Sequence, residues 1–179
     1  MNVFSIFLGF GASFGLACAA LQAQPSKRSA RLIDAGLITL AAALVGGRAG
    51  YVLVNWGHFH AAPLEIPQVW LGGFTGLGAA AGGLVGLLLA SALTRAPLGA
   101  LADDLLPLVP PLAVSAWLAC MQTGVAYGAA APGDWWAVPL RDEAGFITPR
   151  MPLQPLAAGL TLLLFTLLEA VRPRLSAPG

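Results

Sequence analysis

The sequence predicts an all-α integral membrane protein with about five transmembrane helices, its N-terminus outside and its C-terminus in the cytoplasm. Three observations carry that expectation. Of 179 residues, 58% are hydrophobic and only 9% are charged, against roughly 25% charged residues in ordinary soluble domains. The apolar residues fall into runs of about 20, the length a helix needs to cross a bilayer. Lys and Arg collect on alternate sides of those runs. A water-facing surface cannot be built from so few polar groups, whereas a bilayer accepts such a chain at little cost. The net charge of +1 leaves no basic face for phosphate backbones, which excludes a nucleic-acid-binding role.

The whole chain, 1–179, reads as a single transmembrane domain. The first span, about 2–23, carries no charge and is ended by the polar stretch "QPSKRSAR". It reads as a retained helix and not as a cleaved leader. No Lys or Arg precedes the run, and apolar residues continue past Cys18. The second span, about 32–54, holds Asp34 at its start and Arg48 near its far end. Pro63 and Pro67 then mark a loop. The third span, about 69–93, is rich in glycine; the fourth, about 105–127, contains Pro107, Pro110 and Pro111; the fifth covers about 153–171. The longest polar connection, 128–150, lies between the last two.

Lys27, Arg28 and Arg31 follow the first span, Arg95 the third, and Arg172 and Arg174 the fifth. Arg141 and Arg150 in the opposite loops are diluted by Glu65, Asp134, Asp142 and Glu143. Basic residues accumulate in short cytoplasmic loops, which sets the orientation. Trp56, Trp70, Trp135 and Trp136 then gather at the outer face, where their rings favour the headgroup level. Cys18 and Cys120 stand in apolar runs as small hydrophobes.

Gly72, Gly73, Gly76, Gly78, Gly82, Gly83 and Gly86 crowd the third span. Small residues four apart let helix backbones approach closely in a bilayer, so these are expected to be helix-packing glycines. The alternative is a broken helix whose exposed amides line a polar cavity, tolerated only where protein or water covers the backbone. No Lys follows the glycines, so they form no phosphate loop.

The stretch "LVGGRAGYVLVNW", followed after a short loop by "PLEIPQVWLGGFTGLGAAAGGLVG", resembles the signature region of the prolipoprotein diacylglyceryl transferase family. "LADDLLPLVPPLAVSAWLACMQTGVAYG" is similar to the family's fourth membrane segment, and "WWAVPLRDEAGFITPRMPLQPLAAGL" to the outer loop leading into the next helix. The order of these blocks holds over most of the chain, which is identified as a shortened, degenerate member. The resemblance implies a bacterial inner-membrane location. It also implies an activity that moves a diacylglyceryl group from phosphatidylglycerol to a lipobox cysteine.

Carried over residue by residue, the resemblance places Arg48, Tyr51 and Asn55 on polar family positions and Arg150, Pro152 and Gln154 on an arginine-x-proline-x-glutamine motif. Tyr127 and Gly128 fall on an aromatic-glycine pair. Other positions depart. Leu71 stands for a glutamate, Leu77 for a histidine implicated in activity, Trp117 for an arginine that handles the headgroup, and Leu156 and Ala157 for a tyrosine-glutamate pair.

Transfer to a thiol requires a base within reach of the thiol and cations facing the leaving phosphate. His58 and His60 are candidate bases, but no Asp or Cys lies near them in sequence to complete a site, and interfacial histidines flanking Phe59 are the plainer reading. Asp103 and Asp104 are expected at the start of the fourth helix, where their charge favours the helix dipole. Asp142 and Glu143 read as a solvated loop. An intramembrane charge such as Arg48 either snorkels to headgroups or contacts a phosphate or carbonyl in a cleft.

No cofactor and no metal are expected. The expected function is that of a non-catalytic relative retaining a phospholipid-binding cleft, with Arg48, Tyr51, Asn55, Arg150 and Gln154 as lipid contacts and phosphatidylglycerol as the candidate lipid. It would serve as an accessory or structural subunit among other membrane proteins. The alternative is an active phosphatidylglycerol-dependent transferase using His58 or His60 as base and Arg48 with Arg150 as the phosphate clamp. A transporter is weaker still, since Arg48 alone is a plausible intramembrane charge.

Overall fold

The computed structural model describes residues 3–22, 26–69 and 72–175. Trp70 and Leu71, and the side chains of Lys27, Arg172 and Arg174, lie outside the described residues. The described residues form seven helices and one hairpin: α1 (Val3–Gln22), α2 (Ser26–Val54), α3 (Trp56–Phe59), α4 (Gly76–Thr94), α5 (Leu98–Leu105), α6 (Val109–Thr123), β1 (Val138–Arg141), β2 (Ile147–Arg150) and α7 (Leu153–Leu175). Short 3-10 turns cover Pro63–Glu65 and Leu106–Leu108. Among the described residues, five segments are long and apolar enough to cross a membrane: Val3–Gln22, Arg28–Val54, Gly76–Thr94, Leu98–Thr123 and Leu153–Val171. The protein is a mostly helical, multi-pass membrane protein.

Three starts and two ends differ from the sequence reading; α6 stops at Thr123 and not at 127, with Gly124 at φ +69°, and α7 runs on to Leu175. Helix α2 begins at Ser26, because the polar stretch before Leu32 has no helix breaker after Pro25. The third span begins at Gly76 and not at 69, because Gly72 and Gly73 take φ values of +87° and +79° that no α-helix contains. The fourth begins at Leu98, directly after Pro97, and takes Pro107 into the 3-10 turn at Leu106–Leu108. Pro110 occupies the first turn of α6, where its missing N–H has no intrahelical partner to lose. Asp103 and Asp104 therefore sit near the end of α5 and not at a helix start. The loop 128–150 adds a β-hairpin to an otherwise helical chain.

The contacts group into two compact units. The unit of residues 16–108 contains α2, α4 and α5, with a core of Ala19, Leu32, Ala35, Ala90, Leu101 and Leu105. Its main joint is α2 against α4. A β-carbon placed at Gly46 would lie 2.5 Å from the Gly78 carbonyl and 2.7 Å from Gly82 Cα. One at Gly82 would strike the Ala42 carbonyl and stand 2.9 Å from Gly46 Cα, and one at Gly86 would stand 2.8 Å from Thr39 Cα. Thr39, Ala42 and Gly46 on α2 thus meet Gly78, Gly82 and Gly86 on α4 backbone to backbone. Dispersion between close backbones drives association where lipid removes the hydrophobic incentive. By contrast Gly76 has nothing within 4 Å, and Gly83 would make only an ordinary contact with Ala43 at 3.7 Å. Neither of these two approaches α2 closely, and Gly72 and Gly73 precede the helix, so the helix-to-helix joint uses Gly78, Gly82 and Gly86.

The other unit comprises residues 3–15 and 109–175, with α6 packed on α7. Gly11 on α1 faces Ser115 on α6; a β-carbon there would come within 2.5 Å of its hydroxyl. Strands β1 and β2 pair antiparallel, Val138 opposite Arg150 and Arg141 opposite Ile147. Residues 129–131 run along β2 through Ala131 N–H to Pro149 O (2.9 Å) and Met151 N–H to Ala129 O (3.0 Å). Cys18 and Cys120 are free thiols, each partly buried.

Candidate functional site

Arg48 is only 7% exposed, and its guanidinium is spent on backbone. Nε donates to Ile66 O (2.8 Å), Nη1 to Gly72 O (2.6 Å) and Gly73 O (3.2 Å), and Nη2 to Glu65 O (2.6 Å). Of the five N–H groups an arginine owns, four are committed. The carbonyls come from two separate stretches of the connection between α3 and α4, 65–66 and 72–73, so one side chain ties that connection to itself. The backbone must turn its oxygens inward at residues 72 and 73, and the left-handed φ values there permit it only because both residues are glycine. A β-carbon at Gly73 would also stand 2.5 Å from the Tyr51 ring.

Aromatic rings flank the cation. Its Cζ lies 5.2 Å from the Phe59 ring centre and 5.8 Å from that of Tyr51, within cation–π range. The two rings meet edge to face at 6.0 Å. Tyr51 follows Arg48 by three residues, on the same face of α2. Asn55 turns away from this cluster: its Nδ2 donates to Tyr51 O (2.9 Å) at the end of α2.

Beside the guanidinium lies a cavity of about 150 Å³ lined by Arg48, Tyr51, His58, Phe59, Glu65 and the paired glycines. That is below the roughly 300–1,000 Å³ of pockets holding drug-sized ligands. His58 Nε2 sits 2.8 Å from Glu65 Oε2 at its rim. Spacing alone concealed this pair. The two residues are seven apart, and α3 followed by the 3-10 turn at Pro63–Glu65 folds the chain back to bring them together. His60 instead meets Trp56, ring to ring at 6.5 Å. Among the described residues, no group of three His, Cys, Asp or Glu could hold a metal ion.

Arg150, Tyr127 and Gln154 gather in the unit of residues 3–15 and 109–175. Arg150 Nη2 pairs with Asp142 Oδ2 at 3.2 Å, both side chains 14% exposed, and its Cζ lies 4.2 Å over the Tyr127 ring. Gln154 is 1% exposed and donates to Val125 O (3.0 Å). Arg150 Nε, Gln154 Oε1 and Thr148 Oγ1 are buried without a hydrogen-bond partner among the described residues. Asp142 is no solvated loop residue. Its Oδ1 also accepts from Phe146 N–H (2.9 Å), which holds the turn between β1 and β2. Asp142→Ala is expected to destabilise the hairpin by about 1–3 kcal/mol, a buried-pair loss reduced by partial exposure. Hydrogen exchange at the Phe146 amide and the β1–β2 amides checks this. Exchange unchanged from wild type would mean that Asp142 carries no such load.

The residues that replace ionisable family positions have no single fate. Leu77 is 85% and Leu156 52% exposed on their helices, while Trp117 and Ala157 are half-buried. Exposed leucines on spanning helices are ordinary lipid-facing or subunit-facing surface.

Five spanning helices, a glycine-built α2–α4 joint and an arginine that clamps its own loop define a polytopic membrane protein with polar chemistry held near helix ends. The prolipoprotein diacylglyceryl transferase family model matches residues 1–178. The chain belongs to that family and is a multi-pass protein of the bacterial inner membrane. It is 40% identical over 131 residues to a phosphatidylglycerol–prolipoprotein diacylglyceryl transferase of Rhodospirillum rubrum, covering 70% of this chain and 46% of that protein. It is 35% identical over 140 residues to the enzyme of the same name from Methylibium petroleiphilum, covering 73% and 51%. The one from Paramagnetospirillum magneticum shares 35% over 118 residues, covering 65% and 43%. The chain thus spans about half the length of the curated relatives it matches.

Proposed function

We propose that this chain is a non-catalytic member of its family, a membrane scaffold that contacts phospholipid headgroups and works as an accessory subunit with other membrane proteins. The observation that carries the reading is the commitment of Arg48. A guanidinium that donates to four backbone carbonyls has one N–H left. It cannot offer the two-pronged grip that a leaving phosphate demands. Arg150 is likewise held, by Asp142 and the Tyr127 ring. The apolar residues at the family's ionisable positions, Leu77 and Leu156 among them, favour contact with lipid or a neighbouring subunit. The alternation of basic residues supports an outer N-terminus and a cytoplasmic C-terminus.

Membranes containing the chain, given phosphatidylglycerol labelled in its acyl chains and a lipobox peptide, are expected to transfer no label. Copurification in mild detergent is expected to retain partner chains. Label transfer to the peptide cysteine would overturn the reading.

One observation favours the second reading, an active phosphatidylglycerol-dependent transferase. The His58–Glu65 pair has the form of a base oriented by a carboxylate, and it borders the cavity that Arg48 lines. If label transfer occurs and His58→Ala abolishes it, that mechanism replaces the one preferred here.

A further inference from the structure

At the other end of α2 the same unit opens a second, larger cleft, about 380 Å³. Arg28 and Arg31 enter it from the start of α2, Arg95 from the end of α4, and Asp104 from α5. Arg48 and Arg28 are 20 residues apart on one helix, or about 30 Å at 1.5 Å per residue. The cleft and the Arg48 cluster therefore sit a bilayer's hydrocarbon thickness apart.

Its charge is unbalanced. Arg28 Nη2 reaches both Asp104 oxygens at 2.8 Å. Arg31 and Arg95 have no acidic partner among the described residues. Asp104 is the single acid in the lining, so three guanidinium groups face one carboxylate. Arg95 is fixed in place by backbone: it caps α4 in the left-handed region, φ 55°, and Ser91 Oγ donates to Ala96 O (2.7 Å) just after it. A non-glycine residue in that region is strained, and here the strain leaves a cation at the mouth. The floor is apolar, formed by Leu32 and Leu101, which are 3% and 5% exposed. Cations at the rim over an apolar floor at the end of spanning helices match an amphiphile with a phosphate head and acyl chains.

We propose that the Arg28–Arg31–Arg95 cleft binds the phosphate ester of an anionic phospholipid. Arg31 and Arg95 grip the phosphate oxygens, while Asp104 pairs with Arg28 and lowers the positive charge facing the lipid. The site is independent of whether the chain transfers diacylglyceryl groups.

The test uses the full chain in mild detergent, with native mass spectrometry to count bound lipid. The probes are dioleoyl phosphatidylglycerol, dioleoyl phosphatidylcholine and inorganic phosphate. Wild type is expected to retain phosphatidylglycerol over phosphatidylcholine, because only the former brings uncompensated negative charge. The double variant R31Q/R95Q is expected to lose about thirtyfold in phosphatidylglycerol affinity, roughly fivefold per arginine. Removing the opposing carboxylate has the opposite sign, so D104N is expected to raise affinity severalfold. Should R31Q/R95Q fail to fold, D104N decides: unchanged or weaker binding overturns the proposal. Equal retention by wild type and a folded R31Q/R95Q overturns it too. Inorganic phosphate that displaces the lipid at equal concentration would assign the cleft to a soluble phosphate ester and overturn the lipid source.

Discussion

Arg48→Met is expected to destabilise the protein more than any other single side-chain change in the α2–α4 unit. A hydrogen bond to a charged group contributes about 1.5–3 kcal/mol. Four of them share this side chain, and since they are not additive, a total loss of roughly 4 kcal/mol is expected. That corresponds to a fall of roughly 10 °C in the unfolding midpoint for a chain of this size. The physical reason is that carbonyls at 65, 66, 72 and 73 lose their donor while remaining turned inward. Arg48→Lys keeps the charge but is expected to rescue less than half, because an ammonium cannot span carbonyls on both stretches of the loop. Thermal unfolding in detergent, with limited proteolysis between residues 60 and 75, measures both effects. A variant with wild-type midpoint and protease resistance would show that Arg48 is not the clamp.

Gly82→Ala is expected to cost about 1–3 kcal/mol, the usual penalty of overpacking a close joint. Its β-carbon would meet the Ala42 carbonyl and Gly46 Cα, and backbone atoms cannot rotate away as a side chain can. The helices must separate, and the close contacts of Thr39, Ala42 and Gly46 with α4 weaken together. Gly83→Ala is the internal comparison: one residue along, its β-carbon stands 3.7 Å from Ala43 Cβ. That change is expected to be neutral or stabilising, since alanine is favoured over glycine in a helix by up to about 1 kcal/mol. Equal midpoints for the two variants would sink the assignment of the joint. Gly76→Ala, with open space around it, is expected to behave like Gly83→Ala.

Much of this is legible in the sequence. Spans are dictated by composition: in a bilayer every backbone polar group must bond within its own helix, so apolar length and helix coincide. The signature residues were legible only through resemblance, as positions without partners. Arg48 is the instructive case. Two readings stand open in the sequence, snorkelling to headgroups or a phosphate or carbonyl contact in a cleft; the acceptors are carbonyls, and they belong to this chain, 17 to 25 residues away. Carbonyls belong to every residue type, so no sequence pattern announces them. Gly72 and Gly73 misled for a related reason: glycine serves helix packing and left-handed backbone equally well. Asp142 and Asp104 were assigned to a solvated loop and a helix start. Their partners, Arg150 and Arg28, reach them only once the hairpin closes and α5 packs beside α2.

The sequence by itself determined that this chain carries segments long and apolar enough to cross a membrane, which family it resembles and which segments carry glycine, because solvent matching and local composition depend on neighbours along the chain. The tertiary structure decided what each charge holds. Arg48 is a loop clamp, Arg150 an anchored hairpin residue, and Arg31 and Arg95 cations without an acid among the described residues. Those assignments rest on distances between residues far apart in sequence, where electrostatic and hydrogen-bond energies change within a few ångströms.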